Sequence, residues 1–295
     1  TVENRFDGQS AQLRIEALMS VKADPAPVSD FANLNAFNER QAAQGIQTVL
    51  EATPETTPDG APAVRFSAAS TRTERSGSWA KAGRTFAPAL NIADKPALGV
   101  WVHGDGKGEL LNLQVLSAGH NAAGGTGDHY ITVDFTGWRH FTLVEFEGGH
   151  INDFQWPYGN SYSIYREHVD FGAVESFSLW YNDIPAGETV SCAVGPITAM
   201  PLESAPLSNP KVSIGGHEIV FPVTLESGTC LEFKAMDDCV LYGPNGEIVA
   251  NVAPEGEQPL FAHGDNGFSF ACDATKDLPA RARVTAIATG DPLQE

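Results

Sequence analysis

A chain of 295 residues, 42% of them hydrophobic, is long enough to bury more than one core, and its length favours two domains. Its 18 Lys and Arg stand against 37 Asp and Glu, a formal net charge of -19, and no basic run occurs, so nucleic acid and anionic membranes are repelled on average. The longest apolar runs, LGVWV at 98–102 and GELLNLQVL at 108–116, fall far short of the roughly 20 residues that a membrane span requires.

Charged residues are sparse at 19%, while 29 Gly and 19 Pro punctuate the chain in the manner of many short strands joined by turns. The class reads all-β. The chain opens at Thr1 with neither a signal-peptide pattern nor an initiator Met, which reads as a mature or excised fragment. NAFNERQAAQG at 35–45 is the one stretch that suits a short helix, and it serves equally as a loop into the strand IQTVLEA at 46–52. PETTPDGAP at 54–62 is a loop, and AVRFSAAS at 63–70 alternates like a half-buried strand.

From there the strand signals become regular: 97–104, 109–118, 129–135, 139–146, 174–182 and 190–200 are each short, apolar on alternate positions and bounded by turn residues. That is the grammar of a two-sheet sandwich. ESAPLSNP at 203–210 interrupts it, and the strands that follow predict a second, smaller sandwich of immunoglobulin type. The expected organisation is an extension over 1–30 packed on the first sandwich, that sandwich over 31–203, and the second over 204–295. Within the last, YGPNGEIV at 242–249 reads as a hairpin closed by Asn-Gly.

The four cysteines, Cys192, Cys230, Cys239 and Cys272, lack the spacing of a zinc site. A Cys239–Cys272 bridge is one reading and buried free thiols the other. The Gly-rich HNAAGGTGDH at 120–129 lacks the Gly-Lys-Ser/Thr of a phosphate loop and reads as a hairpin or rim loop.

Successive strand residues point to opposite faces. Leu98, Val100 and Val102 oppose Trp101 and His103; Leu111, Leu113 and Val115 oppose Asn112 and Gln114; Ile131, Val133 and Phe135 oppose Tyr130, Thr132 and Asp134; Phe177 and Leu179 oppose Ser178, Trp180 and Asn182. The expectation is one sheet with an apolar inner face and an outer face of Trp, Tyr, His, Asn and Gln. Flat rings stack on the C–H faces of sugars, and planar amides and imidazoles serve hydroxyls. The alternative is that Trp101 and Trp180 are covered and belong to the core.

With LGVWVHGDGKGELLNLQV, HYITVDFTGWRHFTL and the closing SCAVGPITAM, the stretch from about Phe31 to Leu202 resembles the galactose-binding-like β-jelly-roll carbohydrate-binding modules of family 11 and family 30 type. The resemblance implies a β-jelly-roll sandwich whose concave sheet binds polysaccharide, with Trp101, His103, Asn112, Gln114, Tyr130, Trp180 and Asn182 along the groove. The later part resembles the immunoglobulin-like accessory domains of polysaccharide-degrading enzymes. A secreted or cell-surface bacterial setting follows, together with a catalytic domain in a longer chain. Such modules often hold a structural calcium, for which Asp30, Asn33 and Asn35 offer suitable oxygens. No other cofactor is implied.

QWPYGNSY at 155–162 lies between two strands, which suits a rim loop where Trp156, Tyr158 and Tyr162 close over a sugar and Arg166 bonds to hydroxyls or a carboxylate; anchoring of the loop to the core is the competing role. The rival function is a jelly-roll polysaccharide lyase, in which Tyr130, His129 and Arg166, with His103 and Tyr165 nearby in type, would move protons and neutralise a uronate. A third reading has both sandwiches as structural or protein-contacting accessories of a larger enzyme.

Overall fold

The computed structural model describes residues 2–4, 9–119, 124–144, 157–158, 168–273 and 278–288. The chain is all-β and divides into two compact units, Ala23–Pro201 and a second built from Thr1–Lys22 with Leu202–Glu295.

The first unit is a sandwich of two antiparallel sheets. The five-stranded sheet runs in the order 125–132, 110–117, 174–182, 79–90, 39–42. The other runs 26–29, 197–200, 97–105, 189–194, 62–70, 46–56, with 136–144 also paired to 97–105. Strand 136–144 pairs along the whole of 97–105, whereas 189–194 and 197–200 meet only Val102–His103 and Ala97–Gly99. Those two therefore share one flank of 97–105, and 136–144 takes the other.

The period-2 patterns supply the core. Leu98, Val100 and Val102 from one sheet face Leu111, Leu113, Val115, Phe177 and Leu179 from the other, all at most 1% exposed. Burying each such side chain is worth about 1.5–3 kcal/mol. Phe66 stacks on Tyr181 across this core, centroids 4.4 Å apart, and the Tyr181 hydroxyl donates to the Phe66 carbonyl and accepts from the Cys192 N–H. Gly104 is required by close approach: a side chain there would meet the Phe135 carbonyl oxygen at 2.4 Å.

The second unit pairs two further sheets, and its core holds Leu207, Val212, Ile214, Phe221, Leu231 and Phe233. Here the expected boundaries need correction. Strand Gln9–Ala17 is a member of the second unit rather than an extension of the first; it lies between Cys230–Ala235 and Ala282–Ala288, burying Ala11, Leu13, Ile15 and Ala17. Its alternating apolar residues complete a sheet whose other strands come more than 200 residues later. The first sandwich is thus inserted into the second, and the two connecting segments pair as Ser20–Val21 with Leu202–Glu203, with Lys22 Nζ 2.6 Å from Glu203.

Of three smaller features, the sequence leaves two open, the segment 35–45 and the cysteines, and one hairpin differs in detail. Residues 35–45 form no α-helix: Leu34–Ala36 make one 3₁₀ turn and Glu39–Ala42 an edge strand. The hairpin between Asp238–Tyr242 and Ile248–Asn251 is present, but of the Asn-Gly pair only Gly246 has positive φ, and the loop is closed by Gly243 N–H on the Glu247 carbonyl. All four cysteines are free, with burial pushing the thiol of Cys230 up to about 11 and that of Cys239 up to about 12, so the bridge gives way to the thiol reading.

Candidate functional site

Cross-strand register assembles the site. Tyr130, Asn112, Trp180, Lys81 and Gln41 are direct partners in series, so one rung crosses all five strands on the outer face. The adjacent rung is Asp128, Gln114, Ser178, Gly83 and Glu39. Beside Trp180 stands Trp79, with centroids 5.5 Å apart and ring planes at 46°; Asn182 is the direct partner of Trp79.

The polar groups are ordered by one another. Asp128, 1% exposed, accepts at Oδ1 from Asn112 Nδ2 and Gln114 Nε2, both at 2.8 Å, and at Oδ2 from the Tyr130 hydroxyl at 3.3 Å. Gln114 Oε1 accepts the Trp180 indole N–H at 3.1 Å, and Asn112 Oδ1 accepts the His129 backbone N–H. Lys81 donates to Glu39 at 2.8 Å, and its Nζ lies 5.5 Å from the Trp180 ring centre. Asn112, Asp128, Ser178 and Lys81 are buried, while Tyr130, Gln114, Trp79, Trp180 and Asn182 are half-buried. The first set is the floor, and the rings and amides rise from it.

Of the expected groove residues, Asn112, Gln114, Tyr130, Trp180 and Asn182 share this face. Trp101 and His103 do not: strand 97–105 belongs to the opposite sheet, and both rings lie on that sheet's outer face against Trp138 and His140 of strand 136–144. Their alternation holds in the structure, but strand parity carries no information on which sheet a strand joins. Trp79, Lys81, Asp128 and Glu39 were missed. The signal for two of them was present in SWAKAG at 78–83, where Ala80 and Ala82 are the buried set.

His129 leaves the lyase group. It is 2% exposed on the inner side, with Nδ1 2.9 Å from the Leu113 carbonyl, and so points away from Tyr130. Tyr158 is 42% exposed and donates to the Gly108 carbonyl at 2.5 Å, with the Arg75 guanidinium stacked 4.0 Å from its ring centre. Trp156, Tyr162, Tyr165 and Arg166 lie outside the described residues.

The calcium set does not fit a cage. Asp30 Oδ1 accepts from Ala32 N–H and Asn33 Oδ1 from Asn35 N–H, which are turn-capping roles. One carboxylate on one exposed turn falls short of the six to eight oxygens that calcium takes, and among the described residues no three His, Cys, Asp or Glu side chains converge.

No protein-family model matches the chain, and no curated protein matches it. Its fold is similar to that of a family 11 carbohydrate-binding module from Clostridium thermocellum solved with a β-1,3-1,4-mixed-linked tetrasaccharide, at 13% identity and a TM-score of 0.42 over 63% of this chain and 98% of that one. A family 30 carbohydrate-binding module gives 13% identity and a TM-score of 0.36 over 62% of this chain and 98% of that one. An exo-β-agarase gives 13% identity and a TM-score of 0.38 over 59% of this chain and 24% of that one.

Proposed function

We propose that the first sandwich is a non-catalytic module that binds a neutral polysaccharide chain on the outer face of its five-stranded sheet. The observation that carries this reading is the continuous rung from Tyr130 through Asn112, Trp180 and Lys81 to Gln41, with Trp79 set against Trp180. Half-buried indoles give a sugar ring its platform, and the half-buried Gln114 amide, held in place by Asp128, presents a fixed polar group beside them.

Charge argues for a neutral ligand. The face carries Asp128 and Glu39 against Lys81, and Lys81 is already paired, so nothing described there neutralises a uronate. Hydrolysis lacks its geometry on this face as well. Asp128 and Glu39 stand at opposite ends of one rung, their backbones four strand spacings or about 19 Å apart, and each carboxylate is engaged by its own neighbour, Gln114 or Lys81, rather than facing the other as the paired carboxylates of a glycosidase do. The lyase reading loses His129 to the core side.

The second unit is proposed as a spacer of immunoglobulin-like type, and the whole as part of a secreted bacterial carbohydrate-active enzyme. A glycan array, followed by incubation of each hit and assay for reducing or unsaturated ends, tests the reading. Binding without product is expected; product would overturn it in favour of catalysis.

A further inference from the structure

The opposite sheet carries a second constellation. On its outer face His140 is the direct partner of Trp101, and Trp138 that of His103. The rings meet edge to face, with centroids 5.1 Å apart at 68° for the first pair and 5.4 Å at 80° for the second. Trp101, His103 and Trp138 are half-buried and His140 is exposed. The core requires none of them, because Leu98, Val100 and Val102 already fill the inner side of this strand.

The surroundings give this patch a shape. The rung through His103 continues as Ala193, Arg65 and Glu51. Rings therefore form one bank, Arg65 with its partner Glu55 at 3.0 Å forms the other, and the small, buried Ala193 lies beneath them. At the end, Gly195 follows the Trp101 row by donating its N–H to the Trp101 carbonyl, and a side chain there would strike Thr57 Cγ2 at 2.5 Å. The Thr57–Asp59 turn thus closes the trough beside Trp101. Asp59 is held below the usual carboxylate range, first by the Thr57 hydroxyl and in smaller part by the Trp101 indole.

A trough with indoles on one side, planar nitrogen heterocycles between them and an ionised carboxylate at its end matches the chemistry of a sugar chain: C–H faces for the rings and hydroxyls for the imidazoles and carboxylate. Arg65 is already paired, and the chain carries a net charge of -19, so an anionic polymer gains nothing there.

We propose that Trp101, His103, Trp138 and His140 form a second contact surface for neutral glycan, on the sheet opposite the first. This rests on the carbohydrate reading of the protein but on a separate face. Two such faces on one module would let it bridge two chains of an insoluble polysaccharide, raising retention on polymer far above affinity for one short fragment.

The test uses the full chain and neutral hexasaccharides of β-linked glucose, xylose, mannose and galactose, followed by the indole N–H signals of the tryptophans. In W79A/W180A, which disables the first face, a hexasaccharide that binds wild type is expected still to shift the Trp101 and Trp138 signals. W101A/W138A is expected to lower retention on the matching insoluble polymer by about tenfold or more while Trp180 still responds to the hexasaccharide. Wild type that shifts Trp180 but neither Trp101 nor Trp138 overturns the second face alone. Wild type that binds none of the four sugars overturns both readings. Should W101A/W138A fail to fold, W101F/W138F and the wild-type shifts decide the matter.

Discussion

Lys81 and Trp180 are direct cross-strand partners at the centre of the five-stranded sheet, and the buried ammonium lies 5.5 Å from the indole centroid while it pairs with Glu39. The indole is therefore oriented from three directions: by Lys81, by Trp79 at its side, and by Gln114, which accepts its N–H. A ring fixed before the ligand arrives loses little freedom on binding.

Trp180→Ala is accordingly expected to weaken glycan binding by upward of about 1 kcal/mol, the scale of an interface hot spot, with the far-ultraviolet circular dichroism spectrum unchanged. Trp180→Phe should fall between, since it keeps a platform but releases Gln114. Titration calorimetry against the best array hit measures both. A variant that unfolds would make Trp180 part of the core instead.

Asp128 supports the site from below. Removing its carboxylate leaves the amides of Asn112 and Gln114 without their 2.8 Å acceptor. Hydrogen bonds to a charged group contribute about 1.5–3 kcal/mol, so Asp128→Ala should destabilise the first unit by at least that much. Asp128→Asn, which retains an acceptor oxygen, should cost less. All five tryptophans lie between residues 79 and 180, within this unit, so indole fluorescence during urea unfolding follows it without interference from the other.

How far these features were legible in the sequence depends on the range of the interaction. Alternation within a strand is local, and it placed Asn112, Gln114, Tyr130, Trp180 and Asn182 on the outer side correctly. Sheet membership is set by partners far along the chain, and Trp101 carries the same alternation as Trp180 while pairing with His140 in the other sheet. Lys81 and Trp79 escaped because their buried neighbours, Ala80 and Ala82, are too small to make a hydrophobic pattern stand out. The strand at Gln9–Ala17 was missed for the first reason, because its partners at Cys230–Ala235 and Ala282–Ala288 are remote.

That remote pairing gives a sharp expectation. Deleting residues 1–22 withdraws a strand paired on both sides, together with the buried Leu13 and Ile15, each worth about 1.5–3 kcal/mol. Against a typical domain stability of about 5–15 kcal/mol, the second unit should unfold. The first unit, whose strands all lie within Ala23–Pro201, should remain folded. Calorimetry of the truncated chain should retain the transition that tracks indole fluorescence and lose the other; loss of both would show that the units depend on each other.

Glu109 gives the first unit a distinctive pH dependence above the ordinary carboxylate range. It is fully buried, with Oε1 3.7 Å from Cys192 Sγ, and Oε2 has no hydrogen-bond partner. Burial first, and the nearby Asp105 charge second, push its carboxyl up to about 8 from an ordinary 4.5. Between those values the folded protein holds a proton that the unfolded chain has released, so stability falls as pH rises through that window, by up to about 1.4 kcal/mol per pH unit, and levels off above it. Glu109→Gln keeps the neutral shape and removes the titration. The variant should match wild type near pH 4.5 and exceed it at pH 8 and above, the fluorescence-detected urea midpoint losing the fall that Glu109 causes while keeping the contribution of His140, whose imidazole is held below its ordinary value by desolvation. Parallel pH profiles for the two proteins would instead show that Glu109 stays ionised in the folded state.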